Sequence, residues 1–421
     1  TAPCKTACPA HIAVQGYLKM AAQGRYQDAL ALIKKNNPLP AVCGHICNRR
    51  CEDACTRGTI DQAVAIDEIK KFIAEQEMHA DKRYIPEIVN HLGTGVDLPQ
   101  KIAIVGGGPA GLTCAGDLAR LGYQVTVFEA FQVAGGVLMY GIPEFRLPKT
   151  IVQQEIQSLK DAGVDIQPDM VIGKILSVDE LMESGYDAVF IGSGAGLPRF
   201  MNIPGEGLVG VCSANEYLTR INLMHGYDPK YATPVIQSKA VAVVGGGNVA
   251  MDAARSALRM GAEHVYIVYR RSEAEMPARL EEVHHAKEEG VEFQNLCNPV
   301  EILGDENGRV NGLKCIRMEL GEPDESGRRR PVAVPDSEFV LDVDTVIMAI
   351  GTSPNPLISG TTKGLDTNRW GCLVVNEEMA TTKDKVYAGG DAVTGAATVI
   401  LAMGAGKTAA VSIDEVLRGK A

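Results

Sequence analysis

Six cysteines in the first 55 residues, Cys4, Cys8, Cys43, Cys47, Cys51 and Cys55, are the densest chemistry in the chain. Thiolates are soft ligands that suit zinc or iron–sulfur clusters. Three readings are open: a reduced cysteine-rich helical cap, a redox disulfide, and a metal centre. No two cysteines are spaced C-x-x-C, which weighs against the disulfide. The four-residue steps from Cys43 to Cys55 do not exclude zinc, whose ligands also come in closely spaced pairs. The grouping of two cysteines and then four favours iron, as does Pro9 directly after Cys8, resembling the C-P ending of ferredoxin-like runs. If AVCGHICNRRCEDAC (41–55) were one helix, its four thiols would share a face. The other five, Cys114, Cys212, Cys297, Cys315 and Cys372, are scattered, and we expect buried structural thiols.

A second pattern lies between Lys101 and Gly136. The apolar run Ile102 to Val105 enters a turn with Gly106, Gly108 and Gly111 at G-x-G-x-x-G spacing, with Pro109 and Ala110 between them. A helical pattern follows, then the apolar run Val125 to Phe128, ending in Glu129. The first glycine allows a tight turn, the second lets a pyrophosphate approach, and the third lets helix and strand pack closely. The pyrophosphate would sit at the helix N-terminus, where unpaired N–H groups and the dipole favour negative charge. Glu129 would accept hydrogen bonds from ribose hydroxyls. From Ala240 the pattern returns as Gly245, Gly247 and Ala250, with Asn248 and Val249 opening the helix. Here the second strand ends in Tyr269 and then Arg270 and Arg271. An acid there would repel a 2′-phosphate, whereas arginine can hold it bidentately. This points to NADPH rather than NADH, the alternative being a solvated arginine pair.

The elements that position these residues follow from periodicity. Residues 1 to about 95 read as helices: one around Leu18, one from Tyr26 to Ile33 stopped by Pro38 and Pro40, and one from Ile66 toward His79. GGVLMYGIPEFRLPK, opening at Gly135 and Gly136, reads as a shaped loop over a cofactor, with Glu144 and Arg146 as candidates for contacts near the reacting rings. DAVFIGSGA carries Gly194 after a buried strand, and VDTVIMAIGTSPN carries Gly351 after another. KVYAGGDAVTGAATVILAMGAG would bring Gly390 and Asp391 to the first cofactor and aim a helix N-terminus at it.

Composition narrows the classes. The chain has 421 residues, 46% hydrophobic and 22% charged, with a net charge of −11. That is enough for two to three domains and argues against nucleic acid as a partner. No apolar run is long enough for a membrane span, no secretory signal is evident, and free thiols suit a reducing compartment, so we expect a cytoplasmic protein. The first residue is Thr1 rather than Met, so the natural start is expected upstream.

The two glycine units, AGGDA, GIPEFRLPK and the cysteine-rich head, in this order, resemble the small (β) subunit of NADPH-dependent glutamate synthase and its relatives end to end. Those relatives include the N-terminal half of dihydropyrimidine dehydrogenase and the NADP-binding subunit of ferredoxin:NADP transhydrogenases. The resemblance implies an α/β fold with two Rossmann-like dinucleotide-binding domains behind an α-helical iron–sulfur domain. It places the iron–sulfur domain at 1–97, FAD at 98–205 and 336–421, and NADPH on an inserted domain at 206–335. It further implies one or two 4Fe–4S clusters and a larger redox partner subunit or ferredoxin-like acceptor. Many relatives carry a C-x-x-C pair ahead of the position of Cys4, with Cys4 and Cys55 matching the rest of their first cluster. Their second cluster uses the matches of Cys8, Cys47 and Cys51 plus a Gln or Glu where this chain has Lys70, a residue that cannot ligate when protonated. Cys43 is the expected substitute.

Overall fold

The computed structural model describes residues 2–80, 83–325 and 327–419. The head is built of helices α1 (Val14–Ala22), α2 (Tyr26–Lys34), α3 (Pro40–Ile46) and α4 (Ile66–Met78). Strand β1 (Lys101–Val105), helix α5 (Pro109–Arg120) and strand β2 (Gln124–Phe128) form the first glycine unit. They are followed by α6 (Lys149–Asp161), β3 (Asp165–Gln167) and β4 (Ala188–Ile191). After β5 (Val211–Ser213) come β6 (Ala240–Val244), α7 (Asn248–Arg259), β7 (His264–Tyr269) and β8 (Glu292–Asn295). Then come β9 (Cys297–Gly304), β10 (Val310–Pro323), β11 (Arg329–Leu341), β12 (Thr345–Met348), β13 (Val386–Ala388) and α8 (Val399–Leu417).

These elements fall into two compact units, residues 1–139, 144–197 and 353–421 in one, and 140–143 and 198–352 in the other. The first unit holds a parallel sheet in the order β13-β4-β1-β2-β3. Its central strands are apolar runs because both faces are covered: every residue of β4 is buried, and in β1 only Lys101 is exposed. Small residues bring α8 against α5: a Cβ on Gly406 would stand 2.3 Å from the carbonyl oxygen of Ala110. Lys407 to Asp117 (2.8 Å) fastens the same pair of helices, and Tyr123, in the turn after α5, donates to Asp414 of α8 (2.9 Å).

The helical head belongs to this first compact unit rather than standing apart at 1–97. Glu155 of α6, 2% exposed, accepts the backbone N–H groups of Ala41 (2.7 Å) and Val42 (3.0 Å) at the start of α3. Those are donors that a helix leaves unpaired at its N-terminus.

The second unit repeats the parallel arrangement in the order β8-β7-β6-β12-β5. An antiparallel sheet, β9-β10-β11, is added to it. Residues 336–352, expected with the flavin domain, lie here, because β12 is the hydrogen-bonded neighbour of β6 and β5. A strand's place is decided by its ladder partners, which lie far off in sequence. The core over α7 is alanine-rich, with Ala250, Ala253, Ala254 and Ala257 at most 1% exposed, so helix and sheet approach closely.

The condition under which four thiols would share one helix face, a continuous helix over 41–55, is not met. Helix α3 ends at Ile46, Cys47 is extended, and Arg49 adopts a left-handed φ of 57° before a short turn at Arg50–Asp53. The break takes Cys47 and Cys51 off the helix that carries Cys43.

Candidate functional site

The first glycine unit makes a cradle. Gly106 turns at a φ of 102°, and a Cβ there would meet the carbonyl oxygen of Gly192 at 2.5 Å. A Cβ on Gly111 would lie 2.0 Å from the carbonyl oxygen of Gly106, so helix and strand pack this closely only with glycine. Gly108 is the N-cap of α5 and Pro109 its first residue, with no side chain capping the end. Gly136 faces Gly108, its added Cβ 3.0 Å from the Gly108 Cα, which leaves two bare backbones where a pyrophosphate would lie. Glu129 is 5% exposed; its carboxylate accepts from Gly107 N–H (2.8 Å) and Phe131 N–H (2.9 Å). Burial raises its pKa, while these bonds oppose the shift. Each oxygen keeps a lone pair for a ribose hydroxyl.

The C-terminal part closes the same unit. Gly390 packs on Ala110, and Asp391 accepts from Ala397 N–H at 3.3 Å. Burial pushes the Asp391 carboxyl up to about 6. Thr398, the N-cap of α8, keeps a buried Oγ1 with no hydrogen-bond partner in the protein, and no side chain caps that helix. Gly194 opens on free space. Bare glycines, uncapped helix ends, an orphaned hydroxyl and a buried acid fit a flavin dinucleotide. Glu144 is exposed, and its carboxylate accepts the Lys149 backbone N–H at 3.0 Å. Arg146 is half-buried. Sequence reasoning missed Lys149 in the same run. It is 8% exposed and its ammonium donates to the carbonyls of Leu138 (2.9 Å) and Leu147 (3.1 Å), pinning the loop that was read only as shaped.

In the second unit Gly245 turns at a φ of 141°, its added Cβ 2.3 Å from the carbonyl oxygen of Ala349. Gly247 caps α7 and opens on free space. Asn248 accepts the Arg279 N–H at 2.9 Å, Val249 is exposed and Ala250 is buried. Gly351 accepts the Arg199 N–H at 3.1 Å through its carbonyl. Tyr269 stands where the first unit has Glu129, its ring against Gly246 and its hydroxyl donating to Glu275 at 2.9 Å. The arginine pair splits. Arg270 is exposed, whereas Arg271 is buried on Asp324 (2.6 Å) and the carbonyl of Arg329 (2.8 Å). The turn between β10 and β11 therefore supplies Arg271 with its partner.

In the head, Cys43, Cys47 and Cys51 lie within reach of one buried cation, and Cys8 lies near Cys47 and Cys51. Lys70, 5% exposed, donates to Asp67 at 2.5 Å. Its charge acts on Cys43, Cys47 and Cys51, while Cys8 acts on Cys47 and Cys51. Burial raises all three thiols, Cys51 up to about 12, and Lys70 opposes that rise. Cys43 also lies 3.4 Å from the Met403 sulfur on α8. All six thiols are free, and among the described residues no three such ligands converge on a single metal ion. A 4Fe–4S cluster takes one thiolate on each of its irons, and the thiol set together with the 1–82 match to a 4Fe–4S domain fits it. Cys4 and Cys55 are half-buried, and Cys55 is held below its ordinary value by the Val64 and Arg57 backbones.

Residues 100–409 match the pyridine nucleotide-disulphide oxidoreductase family, and residues 1–82 match the 4Fe–4S domain II of dihydropyrimidine dehydrogenase. The chain is 42% identical to the NADP(+)-dependent formate dehydrogenase subunit beta of Moorella thermoacetica, over 99% of this chain and 60% of that one. It is 38% identical to the glutamate synthase [NADPH] small chain of Halomonas elongata, over 98% of this chain and 88% of that one. The chain thus spans less than two thirds of the length of the formate dehydrogenase relative. Among solved structures, Mycobacterium tuberculosis FprA in complex with NADPH matches with a TM-score of 0.64 at 22% identity, over 77% of this chain and 86% of that one. T. acidophilum thioredoxin reductase matches with a TM-score of 0.57 at 20% identity, over 75% of this chain and 99% of that one. These two share the fold. Among the described residues no helix is long and apolar enough to cross a membrane. By family match and by identity over nearly its whole length, the chain belongs to the pyridine nucleotide-disulphide oxidoreductases, in the branch of NADPH-dependent FAD and 4Fe–4S subunits that includes the glutamate synthase small chain.

Proposed function

We propose that this chain is an electron-input subunit, exchanging electrons between NADPH and a larger redox partner or ferredoxin-like acceptor. The observation that carries the reading is the shared helix α8. Its N-terminus at Thr398 borders the flavin cradle, and Met403, about 7.5 Å further along, touches Cys43 of the cysteine pocket. Cradle and pocket are therefore close enough for electrons to pass within one compact unit.

The chain's own residues bind and orient. The bare end of α5, with Gly108 and Gly136, takes the flavin pyrophosphate, and Glu129 accepts from its ribose. Gly194, Gly390, Asp391 and the N-terminus of α8 face the ring system, where that positive helix end favours negative charge. Gly247, Asn248 and Val249 at the start of α7 take the NADPH pyrophosphate, and Arg270 its 2′-phosphate, with Gly245, Ala250 and Gly351 shaping the pocket. Arg271 supports the strand end from below. Glu144 caps α6 and, with Arg146, shapes the loop beside the rings. Cys8, Cys43, Cys47 and Cys51 hold the cluster. Bound there, a flavin supplies hydride exchange and single-electron release, and a 4Fe–4S cluster carries single electrons. Direct hydride exchange needs no obligatory acid or base, so binding and electrostatics are this chain's contribution.

The relatives are named for different complexes, a formate dehydrogenase, an NADPH–Fe(3+) oxidoreductase and glutamate synthase. A transhydrogenase or hydrogenase complex is an equally suitable setting for the same module, since the residues of these sites do not select the final acceptor. The test is anaerobic purification with flavin, iron and sulfide analysis and spectra before and after NADPH. We expect one FAD and about four irons, both reduced by NADPH, as one cluster requires. About eight irons would bring Cys4 and Cys55 into a second cluster. Flavin without iron, or with zinc, overturns the reading of the head.

A further inference from the structure

We infer that Lys70 and Asp67 form a charge device that sets the reduction potential of the cluster held by the cysteines around them. The inference rests on the cluster reading above and concerns residues that no thiol chemistry requires. A lysine and an aspartate one helical turn apart on α4 would ordinarily make a solvated pair worth little. Here the side chains are 6% and 2% exposed, and the pair faces the pocket rather than water. Taking both charges out of water costs several kcal/mol per ion, which their attraction only partly returns. A buried pair in this position is thus weak as a device for stability, and its placement asks for another account.

Its surroundings supply one. Asp67, 2.5 Å from the ammonium, holds it in place, and Gly44 packs so closely on Lys71, an added Cβ lying 2.8 Å from the Lys71 Cα, that Cys43 and Lys70 flank one helix contact. On the other side Asp67 also faces Arg49 Nε at 3.6 Å, and its backbone N–H donates to Glu52 at 2.8 Å. Arg49 is 30% exposed and also pairs with Glu68 at 3.0 Å, so the charge that counts inside the pocket is the buried ammonium of Lys70, with Asp67 as its counter-charge. A thiolate-bound cluster gains one negative charge when it accepts an electron. Potentials of such clusters follow local charge, hydrogen bonding and solvent exposure. A fixed cation inside the pocket favours the reduced form and raises the potential, and the adjoining carboxylate limits the rise. The balance suits a cluster that must accept electrons from a flavin rather than resist them.

The test measures the midpoint potential by redox titration with electron paramagnetic resonance detection, on anaerobically purified full-length protein of matched iron and sulfide content. Lys70→Met should lower the potential by at least a tenfold change in the reduction equilibrium, about 59 mV for a one-electron couple. Asp67→Asn should shift it upward, and Lys70→Arg should restore most of the wild-type value. A purely structural pair would change cluster occupancy without moving the potential of the clusters that remain. Should Lys70→Met fail to hold a cluster, Asp67→Asn decides, since an unmoved or lowered potential there overturns the inference. Wild-type protein that contains no cluster sinks the underlying reading instead, so the two failures are distinct.

Discussion

Arg270 and Arg271 are adjacent in sequence and live in different surroundings. Both follow the end of strand β7, where one guanidinium is exposed while the next turns inward onto Asp324. Their substitutions should separate accordingly. Arg270→Ala should cost about 1.5–3 kcal/mol of discrimination for NADPH over NADH, with little change in melting temperature. Arg271→Ala should instead lower stability by a similar amount, about 1.5–3 kcal/mol, by leaving the Asp324 carboxylate without its partner. Steady-state kinetics with both nucleotides, alongside thermal melts, check the pair. An unchanged nucleotide preference in Arg270→Ala would remove it from the phosphate site.

At the scale of elements, the two strand–glycine–helix units use the same backbone for different reasons at each glycine. Gly111 is fixed by packing, because its Cβ would stand 2.0 Å from the carbonyl oxygen of Gly106. Gly247 meets nothing within 4 Å, so its bareness serves whatever comes to it from outside. Gly111→Ala should therefore destabilise the protein by about 1–3 kcal/mol and lose flavin as well. Gly247→Ala should melt as the wild type does and yet bind NADPH more weakly, because the added methyl group fills the pyrophosphate approach. Melting curves with nucleotide titrations distinguish the cases. A Gly247→Ala protein with unaltered NADPH affinity would contradict the second site.

At the scale of the molecule, the head is held to the flavin fold through Glu155. Burial pushes this carboxyl up to about 7, against an ordinary value of 4.5, even though two helix N–H groups and Lys34 favour its charged form. The raised folded-state value gives the sign. The protonated form is favoured by folding, so this stability is fully present below about pH 4.5 and is lost as pH rises through about 7. The shift corresponds to roughly 3 kcal/mol. Urea denaturation at about pH 5 and about pH 8 should show the loss in the wild type and a flatter dependence in Glu155→Gln. Equal slopes in both proteins would exclude Glu155 as the titrating joint.

Local pattern was enough for the glycine units, the buried apolar strands and the helical head, because these follow from periodicity, turn chemistry and spacing along a short stretch. The cofactor classes were legible for the same reason: a helix N-terminus, an acid after one strand and arginine after the other act within about 30 residues, the span of one βαβ unit. Tertiary structure alone decided the rest. The helix break at Arg49, the membership of Thr345–Met348 in the second sheet and the burial of Arg271 depend on partners distant in sequence. So does the environment of Lys70, which reads from sequence as an ordinary lysine on an amphipathic helix. Only when α3, α4 and the turn after Arg49 close around it does its charge leave the solvent and face the thiols. A charge takes its strength from the dielectric around it, and the fold sets that dielectric.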